Sequence, residues 1–305
     1  MGEFSLHPGE ELATALHRGG VYLQSCGVES GQVDAELLVA FLMEKSEKEP
    51  VSRGRVQALA LMGSAVPEGF ENLINLRGER LPLQHLTGQA YFRGLTLSVG
   101  PGVFVPRPET ELLVEHAKTA YLSLVNQGGA GVVVDLCTGS GAIAASLAAE
   151  LAGASVHAVE LSSEAAAWAQ RNLAEHAVHL VQGDALTALP ELLGQVTVVA
   201  SNPPYIPDGA VPQDPEVRDH DPTLALYGGG EDGMKMPRAV TARAFDLLTP
   251  GGYFIIEHAE TQRELMVTAF KRAGFERIKS IDDFAGKPRH TSGYKPLPAP
   301  TSVKE

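Results

Sequence analysis

From about residue 131 the chain alternates continuous apolar runs with stretches of helical composition. The runs fall at 131–136, 155–159, 178–182, 196–200 and 252–256. Uninterrupted apolar strands separated by helices predict a parallel sheet covered on both faces. Residues 1–85 differ, carrying helical periodicity without strand alternation. There, "DAELLVAFLM" (34–43) predicts a helix behind Asp34 as a cap. Between these regions, two short β-type runs in "YFRGLTLSVGPGVFVPRPET" (91–110) flank Gly100-Pro101-Gly102, whose composition predicts the turn of a hairpin. A helix is expected over 111–125, and two more short strands over 275–294, joined by "DDFAGKPRHTSG". The expected organisation is a helical domain (1–85), a β-hairpin linker (86–110), an α/β domain (111–295) and a loose Pro-rich tail (296–305).

Composition narrows the class of function. The 305 residues are 44% hydrophobic and 20% charged, as in ordinary globular proteins. A net charge of −13 does not suit sequence-independent nucleic-acid binding, which comes mainly from Lys and Arg on phosphates. Cys26 and Cys137 stand far apart, in no metal or redox spacing. "MGEFSLHPGE" has neither an export signal nor the myristoylation pattern, and no apolar run has the length of a membrane helix. A cytoplasmic protein is expected.

The chemistry gathers at the ends of the predicted strands. In "VVVDLCTGSGAIAASLA" (132–148), Gly139 and Gly141 lie where strand turns into helix. Glycine there lets a ligand approach the backbone, beside the free N–H groups of a helix start. Glu160 ends the next strand, 21 residues after Gly139, a spacing at which an acid can accept from ribose hydroxyls. Gly183-Asp184 ends the third strand and offers a carboxylate to an adenine amino group. An adenosine-containing cofactor follows, which leaves nicotinamide dehydrogenases and methyltransferases using S-adenosylmethionine.

The fourth strand end separates these two. "VTVVASNPPYIPDG" (196–209) closes a core strand with Asn202-Pro203-Pro204-Tyr205. A dehydrogenase has no need of these residues there, whereas methylation of a planar nitrogen does. The Asn202 side-chain oxygen and the Pro203 carbonyl can each accept one N–H of a planar NH₂ group. That pair holds the nitrogen lone pair toward the methyl and stabilises the charge growing on nitrogen. Tyr205 can pack flat against the planar group.

"DLCTGSGAIA", "SNPPYIP" and "GVFVPRPETELLVEHA" together resemble the HemK family of protein-(glutamine-N5) methyltransferases. "LPLQHLTGQAYFRGLTLSVGPGVFVPRPETE", "LALYGGGEDGM", "LLTPGGYFIIEHAETQ" and "DDFAGKPRHTSG" extend the resemblance through nearly the whole chain. It implies a Rossmann-like methyltransferase domain with a seven-stranded sheet whose last strand is antiparallel, behind a small helical domain and a β-hairpin linker. By resemblance, Thr138, Gly139 and Gly141 wrap the methionine part of S-adenosylmethionine, with Cys137 and Ser140 in the same loop. Glu160 stands where the family usually has Asp on the ribose, and Asp184 and Ala185 lie near the adenine, Ala185 replacing a frequent Trp. Asn202, Pro203 and Tyr205 are the implied catalytic residues, and Asn202, Pro203, Pro204, Tyr205 and Arg107 the implied substrate residues. Cys137 and Ala259 each replace a more usual Gly, and both are expected to perturb loop geometry.

The implied reaction moves a methyl group to the side-chain amide of the glutamine in the Gly-Gly-Gln motif of class-I peptide chain release factors, leaving S-adenosylhomocysteine. Alternatives are a glutamine of a ribosomal protein and, further off, a DNA or RNA base. No metal is expected: His176 and His179 lack a third ligand and read as solvated helix-end side chains. Asp214, Glu216, Asp219, Asp221, Glu231 and Asp232 read either as a solvated loop or as an acidic lip for a basic protein.

Overall fold

The computed structural model describes residues 2–125 and 130–298. In chain order its elements begin with α1 (Leu12–Ser25), α2 (Gly31–Glu47), α3 (Arg53–Leu61), α4 (Phe70–Gly78), α5 (Leu83–Thr87), β1 (Gln89–Phe92), β2 (Leu95–Ser98) and α6 (Thr110–Leu124). Next come β3 (Val132–Leu136), α7 (Ala142–Glu150), β4 (Ser155–Glu160), α8 (Ser163–Asn172), β5 (Val178–Gln182) and β6 (Val196–Ser201). The chain ends with α9 (Pro215–His220), α10 (Thr223–Leu226), α11 (Lys235–Leu247), β7 (Leu248–Glu257), α12 (Arg263–Ala273), β8 (Glu276–Asp282) and β9 (Pro288–Tyr294). Among the described residues no helix is long and apolar enough to cross a membrane. The expected loose tail falls mostly on 299–305, outside the described residues.

The chain divides into two compact units, Met1–Gln89 with Pro212–His220, and Ala90–Val211 with Asp221–Glu305. The first is a helical unit whose core holds Leu12, Leu16, Leu23, Leu38, Phe70 and Ile74. Helices α1 and α2 cross closely enough that a Cβ on Gly31 would sit 2.5 Å from the Gly20 carbonyl oxygen. Asp34 is not the cap of α2. The helix starts three residues earlier, and the buried Asp34 carboxylate accepts from Ser30 Oγ and from Arg77 Nε, each at 2.8 Å. Arg77 also donates to Glu216 at 2.7 Å, and Arg80 forks onto both oxygens of the same carboxylate. These pairs explain why 212–220 groups with the helical unit, although the expected 111–295 domain included it.

The second unit opens with the β1–β2 hairpin. The hairpin turn is Arg93-Gly94; Gly100-Pro101-Gly102 does form a turn, with the Val103 N–H donating to the Gly100 carbonyl at 3.4 Å, but it lies beyond the hairpin. Arg93 and Gly94 have positive φ, 46° and 79°, as a two-residue hairpin loop requires. Arg93 tolerates this because it is tied down: its side chain donates to Glu150, to Glu115 and to the Glu111 carbonyl.

The seven-stranded sheet has the order β5-β4-β3-β6-β7-β9-β8, with β9 antiparallel to both neighbours. This is the Rossmann-like α/β arrangement that the resemblance implies. Alternate strand residues face opposite layers. Val133, Val156, Val198 and Ile255 pack with α6, α7 and α8, while Val134, Val159, Val199 and Phe254 pack with α11 and α12. β7 begins four residues before the apolar run that announced it. The β8–β9 connection is correspondingly shorter than expected, because Pro288–Tyr294 pairs with β7.

Register positions the site. Leu136 of β3 lies opposite Val159 of β4 and Ser201 of β6, and Ser201 lies opposite Ile256 of β7. The next residue of each strand, Cys137, Glu160, Asn202 and Glu257, therefore joins one row at the carboxyl edge. The strand order reverses between β3 and β6, where ligands of open α/β sheets bind.

Candidate active site

The loop after β3 is built from left-handed backbone. Cys137, Gly139 and Gly141 have φ of 64°, 57° and 85°. Cys137 is thus a non-glycine residue in a region that disfavours a Cβ, and burial with nearby Glu160 and Asp135 pushes its thiol well above the ordinary range. Ala259, the other replacement of a usual glycine, has φ −64° and requires no glycine, so its expected perturbation is absent.

Thr138 ties the loop to the sheet through its N–H to the Val159 carbonyl at 2.9 Å and its hydroxyl to Asp135 at 2.5 Å. Burial raises Asp135 to about 7, against the lowering effect of that hydroxyl. Ser140 is buried, and its carbonyl accepts from Asn172 Nδ2 at 2.8 Å. A Cβ added to Gly139 would meet nothing within 4 Å, so the loop has an open side.

Glu160 accepts from the Gly139 N–H and the Ser162 N–H, one on each carboxylate oxygen and each at 2.8 Å. Asp184 is exposed, with one oxygen accepting from the Leu186 N–H at 2.9 Å. Ala185 is buried in the apolar cluster that holds Leu136 and Val159. An open-sided glycine loop followed by an acid at each of the next two strand ends fits the adenosyl cofactor that the resemblance implies.

Beside this loop stands Asn202-Pro203-Pro204-Tyr205. Among the described residues no N–H donates to the Pro203 carbonyl, whereas the Tyr205 carbonyl accepts from Gln262 Nε2 at 2.8 Å. The backbone N–H groups of Tyr205 and Ile206 both donate to the Leu226 carbonyl. The glycines of "YGGGEDGM" lie against this turn: a Cβ on Gly228 would sit 2.7 Å from the Pro204 oxygen, and one on Gly233 2.1 Å from the Tyr205 oxygen. Among the described residues the Pro203 carbonyl thus lacks a donor, while the residues after it are clamped.

Asn202 Nδ2 reaches the Thr110 hydroxyl at 3.4 Å, and that hydroxyl donates to Glu257 Oε2 at 2.7 Å. The Tyr205 hydroxyl donates to Glu257 Oε1 at 3.3 Å. Burial and Glu257 push the Tyr205 phenol far above its ordinary range, with Arg289 and Arg107 acting the other way, so Tyr205 stays neutral. Arg107 pairs with Asp221 at 2.8 Å and lies over the Phe104 ring.

The structure thus brings the glycine loop, Glu160, Asn202, Pro203 and Tyr205 to one edge of the sheet. Thr110, Glu257 and Gln262 were given no role by sequence reasoning. One signal was available for Glu257, because it ends the apolar run "YFIIE" just as Glu160 ends "SVHAVE".

Part of the acidic run is drawn into ion pairs, while Asp214, Asp219 and Glu231 stay exposed. Within the helical unit, Glu216 pairs with Arg77 and Arg80, and Asp219 with Arg218; within the sheet unit, Asp221 pairs with Arg107 and Asp232 with Arg238. His179 is exposed, as expected, but lies on β5 rather than at a helix end and stacks on His157 of the neighbouring strand, ring centroids 4.8 Å apart.

Two family models match the chain, the methyltransferase small domain over residues 95–214 and the PrmC N-terminal domain over residues 14–88. Release factor glutamine methyltransferase of Streptomyces coelicolor is 44% identical over 94% of this chain and 98% of its own length. That of Mycolicibacterium smegmatis is 43% identical over 93% and 98%. A Streptomyces pristinaespiralis relative, 39% identical over 86% of this chain and 88% of its own, is named 4-amino-L-phenylalanine/4-methylamino-L-phenylalanine methyltransferase.

Proposed function

The chain belongs to the release factor glutamine methyltransferase family, and from that premise we propose that it methylates the side-chain amide nitrogen of the glutamine in the Gly-Gly-Gln motif of class-I peptide chain release factors, in the cytoplasm. The observation that carries this reading is the placing of Asn202, a Pro203 carbonyl that accepts from none of the described residues, and neutral Tyr205 beside an open glycine loop.

S-adenosylmethionine, when bound, supplies an electrophilic methyl on a sulfonium centre. Thr138, Gly139 and Gly141 would hold its amino-acid end, and Glu160 and Asp184 the ribose and adenine. Asn202 Oδ1 and the Pro203 carbonyl take the two N–H groups of the substrate amide. An amide nitrogen is a poor nucleophile because its lone pair is delocalised. Two acceptors fixed in place orient that lone pair and stabilise the positive charge that grows on nitrogen. Tyr205, kept neutral, stacks on the planar group and adds no competing charge. The proton can leave after methyl transfer, so the reaction requires no strong base.

The relative named for an arylamine substrate supports a second reading, since an aniline NH₂ is also planar and conjugated. Incubating the protein with labelled S-adenosylmethionine and, separately, a class-I release factor, ribosomes and 4-amino-L-phenylalanine distinguishes these readings. Label is expected on the release factor. Label on ribosomal protein or on the free amino acid, with none on the release factor, would replace the proposal.

A further inference from the structure

The Asn202 amide has two chemically different ends, and only one orientation serves the reaction. Its oxygen must face the substrate N–H, so its nitrogen must be held elsewhere. The structure holds it 3.4 Å from the Thr110 hydroxyl.

A hydroxyl can donate or accept, so this contact alone does not choose an orientation. The Thr110 hydroxyl has one proton, and it is committed to Glu257 Oε2 at 2.7 Å. What remains toward Asn202 is a lone pair. A lone pair accepts from Nδ2 and repels Oδ1, so the flipped amide loses a hydrogen bond and gains a repulsion. Thr110 is 5% exposed and Glu257 2%, which leaves little room for water to replace either partner. The other oxygen of Glu257 accepts from Tyr205 at 3.3 Å, so one carboxylate braces both walls of the cradle.

We infer that Thr110 and Glu257 are positioning residues that fix which end of the Asn202 amide faces the substrate. The inference rests on the proposed methylation of a planar amide, and wild-type activity on a release factor tests that reading separately. Thr110 comes from the "PRPET" segment and Glu257 from the end of β7, so two stretches remote from the motif in sequence set its polarity.

The test is a double-mutant cycle in the full-length protein. Thr110→Val keeps the side-chain shape and removes the hydroxyl. It is expected to lower kcat about tenfold or more, in the range of lost outer-shell support. KM for the release factor and affinity for S-adenosylmethionine should stay near wild type, because remote contacts bind both. Thr110→Ser should recover most of the lost turnover. In an Asn202→Ala background, Thr110→Val should cost almost nothing further, since there is no amide left to orient. A structural role predicts the opposite, an equal loss in both backgrounds.

The inference is overturned if Thr110→Val turns over like wild type, if Thr110→Ser is as slow as Thr110→Val, or if the two losses multiply. Should Thr110→Val not fold, Thr110→Ala, which also removes the hydroxyl and leaves the Glu257–Tyr205 contact in place, carries the same cycle. Non-additivity with Asn202→Ala supports the inference, and additivity sinks it.

Discussion

Asn202 and Thr110, 92 residues apart in the chain, meet at 3.4 Å in the site. Asn202 follows the end of β6, and Thr110 opens the helix that packs on the sheet, so the contact joins the proposed catalytic motif to the first turn of α6. Glu257 completes the arrangement from the neighbouring strand.

Replacing Asn202 with Ala removes one of the two acceptors proposed for the substrate N–H. Turnover should fall by roughly 10²-fold or more, as when one preorganised hydrogen-bonding partner is lost. S-adenosylmethionine affinity should stay within a few-fold, measured by calorimetry. Near-normal turnover would remove Asn202 from its role.

Glu160→Gln tests the loop proposed to hold the cofactor. A carboxylate accepts from both the Gly139 and Ser162 N–H groups, whereas an amide has one acceptor oxygen and sets its NH₂ against the other donor. Leaving a buried N–H without a partner costs about 1–3 kcal/mol, an upper bound for these half-buried groups. The expected result is a lower unfolding midpoint together with weaker S-adenosylmethionine binding. Unchanged values for both would show that these hydrogen bonds do not hold the loop.

Cys137 is held at φ 64°. Left-handed backbone costs residues with a Cβ about 1–2 kcal/mol, and β-branched ones are the worst placed. Cys137→Val should therefore unfold at lower denaturant than Cys137→Gly, although glycine removes more packing. The reverse order would mean that packing, not backbone strain, governs this position.

The hairpin turn predicts a pH dependence. The Arg93 guanidinium, with Lys118 in support, holds Glu150 down at about 2 against an ordinary value of 4.5, overcoming the opposing effect of burial. A depressed carboxylate stabilises the fold above its unfolded value, and that contribution is lost as pH falls through the folded one. Glu150→Gln should thus lower the urea midpoint at pH 7, and the difference from wild type should shrink between pH 4.5 and about 2. An equal difference at pH 7 and in acid would contradict the pairing.

The parallel sheet was legible because buried strands are continuous apolar runs, and β3 to β6 fall close to where those runs lie. The glycine loop and Asn202-Pro203-Pro204-Tyr205 were legible because backbone chemistry at strand ends is local. The hairpin turn was not, since Gly100-Pro101-Gly102 has the composition of a turn while Arg93 takes positive φ only with Glu111, Glu115 and Glu150 around it. Asp34 resembled a helix cap until Arg77, 43 residues away, made it half of a buried ion pair. The roles of Thr110 and Glu257 depend on strand register and helix packing, and neither is written in local sequence.

The most direct measurement is mass spectrometry of a class-I release factor after incubation with the protein and S-adenosylmethionine, with fragmentation to locate the added group. The expected result is one methyl on the glutamine of the Gly-Gly-Gln motif, absent when that glutamine is replaced and strongly reduced with Asn202→Ala. An unmodified glutamine, or a methyl placed elsewhere on the release factor, would contradict the account.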